Sequence, residues 1–278
     1  MFSWRTTARR AKILLRSLFL KTIRDLRGQI WGWGMGTGSL AVMVAALYPA
    51  FKDQMGIYVQ MMSNYPPAIT AFFGDITNIA EWSGWLGIEF FSWIPPMLAV
   101  FAVVVGTGLV AGEEEKGTLD LLLSHPIRRW RVVVAKFAGF VVATLLICVL
   151  ICLCLLLSAV VAGETEDLGK LLLAGLDIAP ITLASGGLAM MASVAFRQRR
   201  LATALSVTVV IGSWFLESLG KVVNVLKPYR PLALFHYYSG GSVMVRGEDW
   251  GKVGVLLGLT AVFVLVSVLA FQRRDLAV

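Results

Sequence analysis

Glu113, Glu114 and Glu115 form the densest run of carboxylates in the chain, and Lys116, Gly117 and Thr118 follow them directly. Carboxylates do catalytic work when a facing acid, base, nucleophile or metal shares their site. His125 and His236 carry no partner pattern that points to catalysis or a metal, and no triad, paired catalytic carboxylates or redox motif is present. Cys148, Cys152 and Cys154 all lie inside one apolar run, with no His or carboxylate ligand nearby. They read as small packing residues, neither a metal site nor a disulfide framework. Phosphate binding fails in the same way. The chain has no G-x-x-x-x-G-K-[ST], and Gly112 to Thr118 only outlines one, because no lysine stands between Gly117 and a following Ser or Thr. The chemistry left to the acidic run is an ionic contact, and an enzyme active site on this chain is not expected.

The setting of the run sharpens that reading. It stands at the carboxyl end of an apolar segment, where the helix dipole favours cations, so each acid there costs roughly a few tenths of a kcal/mol. Gly117 then breaks the helix and Thr118 can cap a new one. Leu119, Leu122 and Leu123 make a small apolar face, and Pro126 forbids continuation before Arg128 and Arg129. Residues 112–131 thus contain a short amphipathic helix presented between two spans. Physics alone leaves it two uses, a turn on the membrane surface or a contact for another protein. The acids at the unfavourable end of the dipole favour the contact.

The elements that must position this segment are transmembrane helices. Of 278 residues, 58% are hydrophobic and 15% charged, against roughly a quarter charged in a soluble domain. Several runs reach the roughly 18–20 apolar residues that cross a bilayer, and in lipid such runs are helices because their backbone groups must be satisfied internally. The expected fold class is an all-α membrane protein with about six transmembrane helices. Spans are expected near residues 30–51, up to 111, 132–161, 171–196, 201–219 and 253–271, the second starting or kinking at Pro95 and Pro96. Residues 3–27 read as a separate basic amphipathic helix lying on the cytoplasmic membrane surface. Gly32, Gly34, Gly36 and Gly38 include two GxxxG pairs, suited to close helix packing. Residues 52–86 read as a mixed outer loop, and the outer segment 220–250 is too polar to cross but can dip partly into the outer leaflet.

Charge sets the orientation. The net charge is +8, from 25 Lys plus Arg against 17 Asp plus Glu. With the amino terminus inside, the cytoplasmic segments hold 8, 5, 3 and 2 of the basic residues, Lys136 counted with its loop, which leaves seven outside. That bias is the positive-inside pattern, and it accounts for the basic balance without nucleic acid as a partner. Three carboxylates, Asp177, Glu217 and Glu89, fall within or beside spans, where ionisable groups tend to be functional. Asp177, the most embedded, is the candidate for a substrate path. Hydration at the outer interface is the plainer reading of all three.

The pattern E-x-E-x-G-T-L-x-x-L-L-x-x-P running from Glu113 to Pro126, with Arg128 and Arg129 after it, resembles the permease subunits of ABC type-2 transporters. The stretch Tyr65-Pro66-Pro67-Ala68-Ile69 through Phe73-Gly74 is similar to that family's first outer loop, and Phe271-Gln272-Arg273-Arg274-Asp275-Leu276 to its usual ending. The resemblance implies that Glu113 to Arg128 is the coupling helix, docking on a nucleotide-binding subunit. It also implies that residues 1–29 are the connecting helix and residues 30–278 the transmembrane domain. It further implies two ATPase subunits carrying ATP and Mg, a second permease copy or a homologous permease, no cofactor on this chain, a place in the cell membrane with both termini cytoplasmic, and export as the direction. The rival reading is a membrane-embedded regulatory or assembly subunit that binds an ATPase without forming a path.

Overall fold

The computed structural model describes residues 4–52, 81–115, 128–165, 167–196 and 198–273, with Gln54, residues 56–57, Gln60, Asn64 and Gly117 between them; side chains are described from Ser17 onward. Every regular element among the described residues is helical. In order they are α1 (Trp4–Lys52), α2 (Trp82–Leu86), a π-helical turn (Gly87–Phe91), α3 (Ile94–Gly108), α4 (Ala111–Glu115), α5 (Arg129–Ala162), α6 (Leu168–Leu176) and α7 (Ile178–Ala195). Then come α8 (Arg199–Gly220), two 3-10 turns (Lys227–Leu232 and Leu234–Tyr237), α9 (Ser242–Arg246) and α10 (Trp250–Arg273). Six stretches among them are long and apolar enough to cross a membrane: Ser17–Lys52, Trp82–Gly108, Arg129–Ala162, Leu168–Ala195, Arg199–Gly220 and Trp250–Arg273.

Side-chain ties show which span ends share a side. Glu113 pairs with Lys136 and Glu115 meets Arg199 at one end of the bundle, the acidic end. Lys52 pairs with Glu164 at 2.7 Å at the other, the loop end, where residues 221–249 fold over the bundle.

The first element differs from expectation. Residues 3–27 and the first span are not two helices but one, the 49-residue α1. Gly28 stays helical because a lone glycine costs only about 1 kcal/mol in a helix interior, and packing outweighs it. Leu18, Leu26 and Ile30 are all buried, and Thr22 rests where Gly139 of α5 leaves room for it. The part of α1 from Ser17 onward therefore continues the bundle instead of lying flat on a surface. Further along, Gly34 and Gly38 lie against Leu150 and Cys154 of α5, while Gly32 and Gly36 face open space. One of the two GxxxG pairs thus makes the close helix contact that small residues permit.

Span two is built in three pieces because of its prolines. Pro95 and Pro96 stand in the first turn of α3, where a missing N–H does no harm. Upstream, however, Pro95 has no N–H to give Phe91, so the Phe91 carbonyl needs another donor. Tyr238 supplies it through its hydroxyl at 3.2 Å. Loss of water contact, with the Asp177 carboxylate behind it, pushes the Tyr238 phenol well above its ordinary pKa, so it stays a donor. The chain relaxes into the π-helical turn just before this break, and Ser92 closes it with its N–H and hydroxyl both on the Gly87 carbonyl, at 3.1 and 2.8 Å.

At the centre lies α7, with nearly all its side chains buried. It packs on α3 so closely that a Cβ at Gly106 would stand 2.7 Å from both the Ala189 Cβ and the Gly186 carbonyl oxygen. The loop-end segment packs against the bundle. Ala233, Leu234, Phe235, Val243 and Met244 are buried, and the Ser213 hydroxyl of α8 accepts the Leu234 and Phe235 amides at 2.6 and 3.4 Å. It forms a cap on the bundle.

Candidate functional site

The acidic run is held by a set of contacts that reaches three other spans. α3 stops at Gly108, a turn at Leu109 and Val110 follows, and α4 carries Glu113, Glu114 and Glu115. The carbonyls ending α3 lack partners within their own helix. Lys136 of α5 donates its ammonium to the Leu109 carbonyl at 2.7 Å and pairs with Glu113. Its side chain is 2% exposed. A buried charge survives only when paired and hydrogen-bonded, and Lys136 has both a carboxylate and a carbonyl.

Glu115 does similar work for α8. Gln198, at the cap position, makes no side-chain bond to the helix start, so the first amides of α8 need an acceptor from elsewhere. The Glu115 carboxylate accepts the Arg199 N–H at 2.8 Å, which also sets a negative charge at the positive end of the α8 dipole. The Arg199 side chain runs back across Gly108 and Gly112 and donates to the Val104 carbonyl at 3.0 Å. A Cβ at those glycines would make ordinary van der Waals contact with the Arg199 side chain, at 3.4 and 3.6 Å. From α7, Ser193 accepts the Ala111 N–H at 2.8 Å and donates to the Thr107 carbonyl at 3.0 Å. Thr203 of α8 donates to the Thr107 hydroxyl at 3.2 Å.

The dipole argument thus has a different answer from the one expected. The cation favoured at the end of α3 is present, but α5 supplies it. Glu113 and Glu115 have partners inside the chain, and Glu114 is half-buried beside them. Gly117 is exposed at φ +67°, a conformation that L side chains avoid. Arg128 is exposed and extended at the start of α5. Thr118, Leu119, Leu122, Leu123 and Pro126, the apolar face and stop of the expected short helix, lie outside the described residues. Sequence reasoning missed the inward role of Lys136, which was counted as a loop charge. The signal was there, since Lys136 stands among apolar residues, with Val132 to Ala135 before it and Phe137 after it.

At the loop end, Asp177 joins α6 to α7 and is 3% exposed. Its Oδ2 accepts the amides of Ser239 and Gly240 at 3.0 and 2.9 Å. It is therefore not simply hydrated; it ties the cap to span four. Glu217 of α8 is gripped by Arg230 through two bonds of 2.6 and 3.2 Å and by His236 Nδ1 at 3.0 Å. These residues line a cleft of about 420 Å³ with Lys221, Lys252 and Tyr238. Glu248, in the turn before α10, is pushed up to about 7 by burial and by the Asp177 carboxylate. Glu89 faces a different cavity, between α1 and the start of span two.

Among the described residues, no group of His, Cys, Asp and Glu is arranged to hold a metal ion. The family model described as ABC-2 family transporter protein matches residues 16–276. No curated protein matches the chain.

Proposed function

Since the chain belongs to the ABC-2 family of transporter proteins, we propose that this membrane permease works as an exporter in a pair, driven by two separate ATPase subunits that bind ATP and Mg. The observation that carries the coupling half of this reading is the linkage of the acidic run to spans three, four and five through Lys136, Arg199 and Ser193. The acidic end faces the cytoplasm in this reading, supported by the excess of Lys and Arg on that side.

An ATPase docks on the segment from Glu113 to Arg128, with Leu119, Leu122 and Leu123 toward its groove. Closure of the ATPases on ATP displaces that segment. Glu113 then carries the displacement to α5 through Lys136, and Glu115 carries it to α8 through the Arg199 amide. Ser193 links it to α7. Because each contact ends on a different span, one local push changes the angles between several helices, which is what exchanging access between two faces requires. Asp177 serves the path from its far end, by holding the cap over the bundle.

The test uses the purified permease with and without its partner. Alone it neither binds nor hydrolyses ATP, and it co-purifies with a chain that carries a complete P-loop. In liposomes the complex shows ATPase activity stimulated by its substrate, which a regulatory subunit would not give. Robust hydrolysis by the pure chain would overturn the reading.

A further inference from the structure

We propose that the groove between α1 and the start of span two binds a lipophilic cation, an apolar body of drug size carrying one positive charge. The ligand class is offered for the permease described above, so its relevance to transport rests on that reading. The site itself rests on four observations.

The groove encloses about 470 Å³, within the roughly 300–1,000 Å³ usual for small-molecule sites. Met43, Leu47 and Phe51 form one wall, and Trp85, Glu89 and Trp93 stand on the other. Phe51 and Trp85 stack with ring centroids 5.7 Å apart, and aromatic faces attract cations, most strongly where water is excluded. Glu89 is the one ionisable group lining the groove among the described residues. It makes no hydrogen bond or ion pair with any described residue. An ionised carboxylate on an apolar wall is costly without a counter-charge, and a cation seated in the groove would supply it.

The backbone puts Glu89 there. It sits in the middle of the π-helical turn, and its neighbours Ile88, Phe90 and Phe91 are 3% exposed or less while Glu89 itself is only half-buried. Single π turns recur at functional positions because they re-aim a side chain without ending the helix. Here the turn holds three apolar neighbours in the core and leaves the acid on the groove wall. Met43 and Leu47 are exposed at 55% and 44%, so a ligand dissolved in the bilayer reaches the groove from the side. A neutral acyl chain would fill the volume and leave the carboxylate unanswered. An anion would be repelled by it.

The experiment measures equilibrium binding of tetraphenylphosphonium to the purified permease in nanodiscs, without any ATPase, beside tetraphenylborate, which has the same shape and opposite sign. Saturable tetraphenylphosphonium binding is expected, weakened tenfold or more by Glu89→Gln. Glu89→Asp retains most of it, and Asp167→Asn, an exposed carboxylate elsewhere, changes it less than twofold. Tetraphenylborate shows no saturable component that depends on residue 89. Thermal unfolding of each variant separates loss of the site from loss of the fold. The proposal falls if the wild type shows no saturable binding, if Glu89→Gln binds normally, or if both ions bind alike. It falls too if cysteines at Leu47 cross-link two copies across the groove and tetraphenylphosphonium leaves the cross-linking unchanged. Failure here with intact ATPase co-purification leaves the permease reading standing, and success here without coupling leaves the groove standing.

Discussion

Lys136 and Glu113 are unequal partners, and removing either one should reveal it. The ammonium is 2% exposed and the carboxylate 23%. Glu113→Gln leaves a charge deep in the bundle with only a carbonyl to answer it, an expected loss of about 3 kcal/mol. Lys136→Met leaves a carboxylate that water can still reach and orphans the Leu109 carbonyl, an expected loss of about 1 kcal/mol. The double variant should recover most of the first loss. Thermal unfolding in detergent ranks the three, and an equal loss from both single changes would contradict this account. Glu248 adds a pH signature. Its folded pKa, about 7, lies above the ordinary 4.5, so the folded chain binds the proton more tightly than the unfolded one. Its contribution is full below pH 4.5 and fades as pH rises toward 7. Glu248→Gln should flatten that part of the stability profile and make the protein more stable than wild type at pH 8. At this scale the sequence was partly legible. The acidic run stood out, but its partners are 23 and 84 residues away along the chain, and no local pattern names them.

Elements show most clearly what side-chain chemistry asks of the backbone. The cap and span two meet at two glycines, Gly87 and Gly241, which approach too closely for a Cβ on Gly241. Gly241→Ala should therefore unseat the cap. Tyr238→Phe should do less, about 1–2 kcal/mol, by leaving the Phe91 carbonyl without its donor. Limited proteolysis across residues 221–249 reads both, with faster cleavage expected for the alanine variant than for the phenylalanine one. The prolines that cause this arrangement were plain in the sequence, and so was the start of α3. Its consequence was not, because the donor comes from a segment 147 residues on. The unbroken α1 was missed for a related reason. Gly28 and the change from basic to apolar residues suggest a boundary, but the contacts that override them belong to α5.

For the whole molecule, composition was sufficient to read the class: six apolar runs became six spans. Hydropathy acts on long averages, which survive the loss of every individual contact, whereas the tilt and order of helices depend on packing that no average contains. Orientation follows from the same kind of average and is open to direct measurement. Thr165 and Gln198 are both exposed, at the loop end and the acidic end respectively. With single cysteines at each in a cysteine-free background, an impermeant reagent applied to intact cells should label position 165 and spare 198. The opposite result would invert the bundle and put the acidic end outside the reach of any cytoplasmic ATPase.

The length of α1 has a geometric consequence. Its 49 residues at 1.5 Å each make a rod of about 70 Å, more than twice the roughly 30 Å of a bilayer's hydrocarbon. A rigid rod magnifies rotation: a tilt of about 5° over that length displaces one end relative to the other by about 6 Å. Changes in helix angle too small to resolve among packed side chains would thus become a swing of several ångströms at Trp4. Distance measurements from a spin label there to one on α8 would turn the protein's longest element into a pointer for its conformational state.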